Sequence, residues 1–207
     1  MALASNVNDF LQKVGQGVKP NMFEVRIPFP TTLAGSGGAD DELVSLLCKS
    51  TALPGSTLGS IDVPFRGRTV KIVGDRTFDN WSATFFNDKE MKVRSKFEQW
   101  MENMNTHEAN TAPLFTPGST AKYMVDIEVD QLEKDGTTTG TALRSYKLWH
   151  AFPISISQID LAYDSNDQVE EFSVEFQYSY WKVVSPTDSN LEGGDSGRDG
   201  TTNLIEL

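Results

Sequence analysis

The sequence predicts a mainly β fold, a two-sheet antiparallel β-sandwich or barrel with one flanking α-helix at about 87–105 and extended N- and C-terminal arms. Three observations predict it. The stretch "EEFSVEFQYSYWKV", residues 170–183, alternates strictly, with Phe172, Val174, Phe176, Tyr178 and Tyr180 on one side. Glu171, Ser173, Glu175, Gln177 and Ser179 take the other side, as in a strand with one face in a core and one in water. Other alternating runs recur between turn-rich segments, and one long stretch changes to a helical period.

Residues 1–20 read as an arm, in which Val7, Phe10, Leu11 and Val14 sit at helical spacing until "GQGVKP" breaks the pattern. Residues 21–184 read as the domain. Its first strand is "MFEVRI", with Phe23, Val25 and Ile27 set against Met22, Glu24 and Arg26. "PFPTTLAGSGGADD" is a loop. "ELVSLLCKS" fits strand or helix by pattern, and the extended, turn-rich "TALPGSTLGS" after it favours a strand. "IDVPFRGRTVKIV" predicts a hairpin turning near Arg66 and Gly67, and "TFDNWSATFF" a strand with Trp81, Ala83 and Phe85 on one face.

At "NDKE", residues 87–90, Asn87 is placed to cap free helical amides and Glu90 to reach back. Val93, Phe97, Trp100, Met101 and Met104 then form one apolar stripe, the spacing of a helix that covers a core. "KYMVDIEVDQL" and "ALRSYKLWHAF" alternate on either side of the turn region "EKDGTTTG". "ISISQIDLAY" leads through the turn "DSNDQ" into the 170–183 strand. Residues 185–207 are rich in Ser, Gly and Asp and read as a flexible tail with an apolar tip at Leu204, Ile205 and Leu207.

A chain of 207 residues suits one domain with arms, and burying about 70% of its extended-chain surface leaves no need for covalent staples. Cys48 is the only cysteine, so no intramolecular disulfide forms, which fits a reducing compartment. No secretory signal and no run long enough for a membrane anchor is seen, so a cytoplasm is the expected site of synthesis. The net charge of −11 argues against tight nucleic-acid binding, which depends on neutralising phosphates with Lys and Arg.

Catalytic and metal-binding patterns are weak throughout. The histidines are His107 and His150, and "HEANT" lacks the second histidine of a zinc-protease helix. Cys48 in an apolar run reads as a small packing residue rather than a nucleophile. "DSNDQ" lacks the glycine and distal glutamate of a calcium loop. No phosphate-binding glycine loop is complete. Neither an enzyme nor a cofactor is expected. A sugar-binding sandwich would want aromatics on loops, whereas these aromatics follow strand and helix periods.

Specific residues carry a resemblance. "NMFEV" at 21–25, "CKSTALPG" at 48–55, "GDRTFDNW" at 74–81 and "FEQW" at 97–100 occur in the order found in the tail tube proteins of contractile-tailed bacteriophages. "LW" at 148–149 and "DLAYDSNDQVEEFSVEFQYSYW" at 160–181 continue it, so the chain resembles that family over roughly residues 20–183. The glycine-rich loop at 30–41 and the tail after Ser185 depart from it.

The resemblance implies a β-sandwich subunit in the virion tail. Six copies would close a ring, and rings would stack into a hollow tube through which double-stranded DNA passes without specific binding. It implies as partners the tail sheath, baseplate and tail-terminator proteins, and a tape measure protein in the lumen. The tube protein of a type VI secretion or related injection system is the nearest alternative.

"MVDIEVD" raises one candidate site. Asp126, Glu128 and Asp130 share a strand face opposite Tyr123, Val125, Ile127 and Val129, and acids at period two repel one another. One expectation places these three carboxylates in the lumen, where they keep DNA from sticking. The other makes them a solvated outer face partly paired to Arg144 or Lys147.

Overall fold

The structure, a computed structural model, describes residues 17–30, 33, 39–112, 123–133, 142–164, 166 and 168–184, together with positions 7, 10, 11 and 15. The tail at 185–207, most of the 30–41 loop and most of the N-terminal arm lie outside the described residues. Val7, Phe10 and Leu11 are helical, as their spacing predicts, and all three are exposed.

Nine strands and two helices are described. They are β1 (Phe23–Arg26), α1 (Ala39–Leu47), β2 (Cys48–Thr51), β3 (Thr57–Phe65), β4 (Arg68–Thr77) and β5 (Trp81–Phe86). After these come α2 (Lys92–Met104), β6 (Val125–Leu132), β7 (Ala142–Ile156), β8 (Glu171–Gln177) and β9 (Tyr180–Val183). All strand pairs are antiparallel. The main sheet path runs β1-β6-β7-β8-β5-β2 and does not close, with β9 paired to β7. The fold is therefore an open sandwich and not a barrel.

The two layers share β7. Its first part pairs with β6 on one side and β9 on the other, and its last part, from Phe152, pairs with β8. At the crossing, His150 has φ +57°, a left-handed conformation unusual outside glycine. The kink breaks the register with β6 beside Val125 and leaves the His150 amide off the ladder. The Asp126 carboxylate accepts that amide at 3.2 Å. A second irregularity follows Pro153, which has no amide to give to a ladder.

Between the layers lies one core. Val25 and Ile127, Val129 and Leu148 come from one sheet, and Ala83, Phe85, Phe172, Val174 and Phe176 from the other. Trp81, Ala83 and Phe85 alternate inward as predicted. Val93, Phe97 and Trp100 of α2 are fully buried against them, and Phe97 touches the rings of Phe85, Phe172 and Phe176. Phe29, a loop residue with no periodic signal, packs on Phe97 and Trp100.

Four expectations change. "ELVSLLCKS" is mostly helix: α1 ends at Leu47 and only Cys48–Thr51 is strand. Val44 of α1 reaches the core. So short an apolar run carries both periods, and packing decides between them. Second, α2 begins at Lys92 and Asn87 is not its cap. Met91 (φ +53°) precedes the helix, and the Asp88 carboxylate accepts the Val93 amide. Asn87 instead bonds Glu170 across the sheet, through backbone and side chain.

Third, the 170–183 run is two strands. A bend at Ser179 ends the alternation, so Tyr178 is buried whereas Tyr180 moves to the opposite face, beside Trp149. Fourth, residues 154–156 of "ISISQIDLAY" extend β7, while residues 157–163 are irregular and not strand.

Candidate assembly surfaces

Three surfaces of the chain combine exposure with an unusual arrangement of polar, edge or apolar groups. The first is the outward face of the sheet β1-β6-β7-β9. Glu24 and Arg26 of β1, Asp126, Glu128 and Asp130 of β6, Lys147 and Trp149 of β7, and Tyr180 and Lys182 of β9 share it by register, opposite the core residues. Each carboxylate has a cation in reach. Arg26 lies 3.3 Å from Glu24, 3.6 Å from Glu128 and 3.1 Å from Asp130. Lys147 lies 3.4 Å from Asp126 and 3.6 Å from Glu128.

The Glu24 carboxylate hydrogen-bonded to its guanidinium, with Asp130 and Glu128 close by, raises the Arg26 pKa against the opposing pull of burial. Asp130 is buried, while Asp126 and Glu128 are about one-third exposed. The sequence finds these three acids and the pairing partner Lys147. It misses Arg26, whose distance along the chain hides that β1 lies beside β6. Lys147 also lies 4.6 Å from the Trp149 ring, which stacks on Tyr180.

The second surface is the pair of edges of this sheet. Among the described residues, β1 and β9 each pair on one side only. Their unused amides and carbonyls are a template for another strand. The four strands alternate in direction, so β9 of one copy meets β1 of the next antiparallel if the copies join edge to edge.

The third is the β3–β4 hairpin. It turns at Arg66 (φ +45°) and Gly67 (φ +79°), two positive φ values in succession, as in a two-residue type I′ turn. Gly59 and Gly74 face each other where the register shifts near the base. A side chain on Gly74 would meet the Gly59 backbone at 3.1 Å, so the close approach requires glycine. Cross-strand pairs Ile61–Ile72 and Val63–Val70 put the apolar residues on one face with Phe65, and Asp62–Lys71 forms an ion pair on the other. Ile61, Phe65, Val70 and Ile72 are all more than half exposed.

A two-stranded ribbon is marginal alone in water, and this one, about 30 Å long at roughly 3.3 Å per residue, leaves its apolar face bare. Its base is fixed. The loop between β2 and β3 accepts the Trp81 indole at the Ala52 carbonyl (2.6 Å) and the Trp181 indole at the Gly55 carbonyl (3.0 Å). Sequence alone places the hairpin but not its lack of cover.

Burial pushes the Cys48 thiol up to about 12, so it is a poor nucleophile at neutral pH. His107 pairs with Glu102 on the surface. Among the described residues, no three His, Cys, Asp or Glu side chains gather to hold a metal, and no helix is long and apolar enough to cross a membrane.

Residues 18–184 match the family model described as phage tail tube protein. The chain is 30% identical over 168 residues to the tail tube protein gp19 of Enterobacteria phage T4, covering 81% of this chain and 93% of that one. Two cryo-EM structures share the fold, each at a TM-score of 0.55. One is a chain of the anti-feeding prophage baseplate, 11% identical, with 79% of this chain and 92% of that chain covered. The other is a chain of an extracellular contractile injection system, from its sheath/tube terminator in the extended state, 13% identical, with 81% and 96% covered.

Proposed function

Because this chain belongs to the phage tail tube protein family, a structural and non-enzymatic family, we propose how its three bare surfaces build a tube. Its place is the inner tube of a contractile phage tail, in the virion. The sheet β1-β6-β7-β9, with two open edges and one polar face, carries the reading. Six copies joined β9 to β1 close a ring of antiparallel strands in which neither of these two edges stays unpaired. With four strands each, that ring has roughly 115 Å of circumference at about 4.8 Å per strand, hence a backbone diameter near 37 Å or more once tilted. Such a ring encloses an open channel, and stacked rings make a tube for DNA.

In that arrangement Asp126, Glu128 and Asp130 line the lumen. Their pairing sharpens the role: they hold Arg26 and Lys147, which would otherwise displace counterions from passing phosphates. The sheath, baseplate and terminator proteins are the outer and end partners, a tape measure protein fills the lumen before DNA, and assembly takes place in the host cytoplasm. The phage family match favours this over the tube of a secretion system.

Negative-stain microscopy of the purified protein, with and without baseplate, tests the assembly. Sixfold rings and hollow tubes are expected, and monomers over a wide concentration range in both conditions would sink it. The lumen assignment has its own test in Glu128→Lys. Asp126 is spared because it holds the His150 amide, and Asp130 because it is buried. Phage carrying Glu128→Lys should assemble tails but release DNA more slowly, most at low salt where screening is weakest. Normal release kinetics at low salt would refute the assignment.

A further inference from the structure

We propose that the seam between β9 of one copy and β1 of the next has a single register, in which Lys182 stands opposite Glu24 and Tyr180 opposite Arg26. The proposal rests on the tube-subunit reading and adds what aligns the two edges. In an antiparallel ladder every second residue exchanges backbone hydrogen bonds with one neighbouring strand, and the residues between turn theirs the other way. The Leu132 amide donates to the Met22 carbonyl, and the Val184 amide to the Ser145 carbonyl, each pair continuing the register of its ladder. By alternation Glu24 and Arg26 bond β6, while Tyr180 and Lys182 bond β7. The free edge groups therefore belong to Phe23 and Val25 on β1, and to Trp181 and Val183 on β9.

Bonds across the seam join these two sets. With Trp181 opposite Val25 and Val183 opposite Phe23, the whole of β9 overlaps the whole of β1. The apolar side chains then meet on the core side. On the polar face, Lys182 meets Glu24 and Tyr180 meets Arg26. These are non-hydrogen-bonded pairs, the kind that brings side chains closest.

Charge selects this alignment over its neighbours. Lys182 faces Lys147 across the β7–β9 ladder, a like-charge pair. Lys147 has Asp126 and Glu128, whereas Lys182 has no carboxylate in reach among the described residues, only the Tyr180 ring at 5.9 Å. Glu24 of the next copy supplies one, since it shares its own Arg26 with Glu128 and Asp130. A shift of two residues one way sets Lys182 against Arg26, a second like charge. The opposite shift sets it against Met22 and puts Glu24 beside the Tyr180 ring, whose negative face repels a carboxylate. In the proposed register that ring meets the Arg26 guanidinium, a favourable cation–aromatic pair. Closure thus holds Lys182 away from passing phosphates, as Asp126 and Glu128 hold Lys147.

Paired cysteines test it. Directly opposed non-bonded residues have Cα atoms about 4.5 Å apart, within the span of a disulfide, and residues two places off lie about 7–8 Å apart, beyond it. Lys182→Cys with Glu24→Cys, and Val184→Cys with Met22→Cys, are in register. Lys182→Cys with Met22→Cys, and Lys182→Cys with Arg26→Cys, are two places off. Each full chain is assembled, treated with oxidised glutathione and run on a non-reducing gel, with the wild type giving the background from Cys48. Thermal melts confirm folding, and either in-register pair decides if the other does not fold. In-register pairs should link copies at least ~5-fold more than the controls. Rings seen by microscopy whose in-register pairs stay at background, or whose controls link as well, would overturn the register alone. A wild type that forms no rings overturns the tube-subunit reading and this inference with it.

Discussion

Trp100→Ala should lower the stability of the isolated subunit by about 3–5 kcal/mol, the usual cost of removing a fully buried large aromatic. Trp100 has no exposed surface and sits on α2 between Phe29, Phe97 and Phe176. Truncation leaves a void that these rings fill only in part, which is why the cost exceeds transfer alone. The indole also donates a hydrogen bond of 2.8 Å to the Tyr123 carbonyl. Its loss leaves that acceptor, which ties the start of the β6 region to the helix, without this partner. Urea denaturation of the monomer is the measurement. A change under about 1 kcal/mol would mean that Trp100 is not a core residue, and the helix would then be a surface for partners.

Ile72→Asp should have the opposite profile, large on assembly and small on the subunit. Ile72 pairs with Ile61 on the bare face of the hairpin and is 52% exposed. Within the lone subunit a charge there meets water, so melting should shift by no more than about 0.5 kcal/mol. In the proposed tube that face is covered by a neighbouring copy. Losing a buried aliphatic side chain and burying a carboxylate together cost at least ~3 kcal/mol per copy, or a threshold for assembly raised about a hundredfold. Sedimentation of tubes across protein concentration reads this directly. Tubes forming at the wild-type threshold would show that the hairpin face stays in solvent and plays no part in contacts.

The two substitutions separate what the fold needs from what the tube needs. Trp100 belongs to the core that every copy completes alone. Ile72 belongs to a surface that a single copy cannot finish. Cutting the apolar face from the hairpin removes one link, while the paired edges of β1 and β9 remain available for ring closure. Rings without tubes are therefore the expected product of Ile72→Asp.

The sequence by itself determined the fold class, the strand faces at Trp81–Phe86 and Phe172–Phe176, the core stripe of α2, the turn at Arg66–Gly67 and the family. Each is written in spacings of two, three or four residues, or in a local turn preference, and needs no knowledge of distant partners. Tertiary structure alone decided that α1 is a helix, that Tyr180 leaves the core face after the bend at Ser179, and that β7 kinks at His150 to serve both layers. It also decided which cations the three acids pair with. Asp126, Glu128 and Asp130 read as repelling neighbours along one strand, but β1 brings Arg26 and β7 brings Lys147 beside them. Periodicity fixes which side of a strand a residue takes. Which strand lies next to it depends on contacts roughly a hundred residues apart for Arg26, and those arise only when the chain has folded.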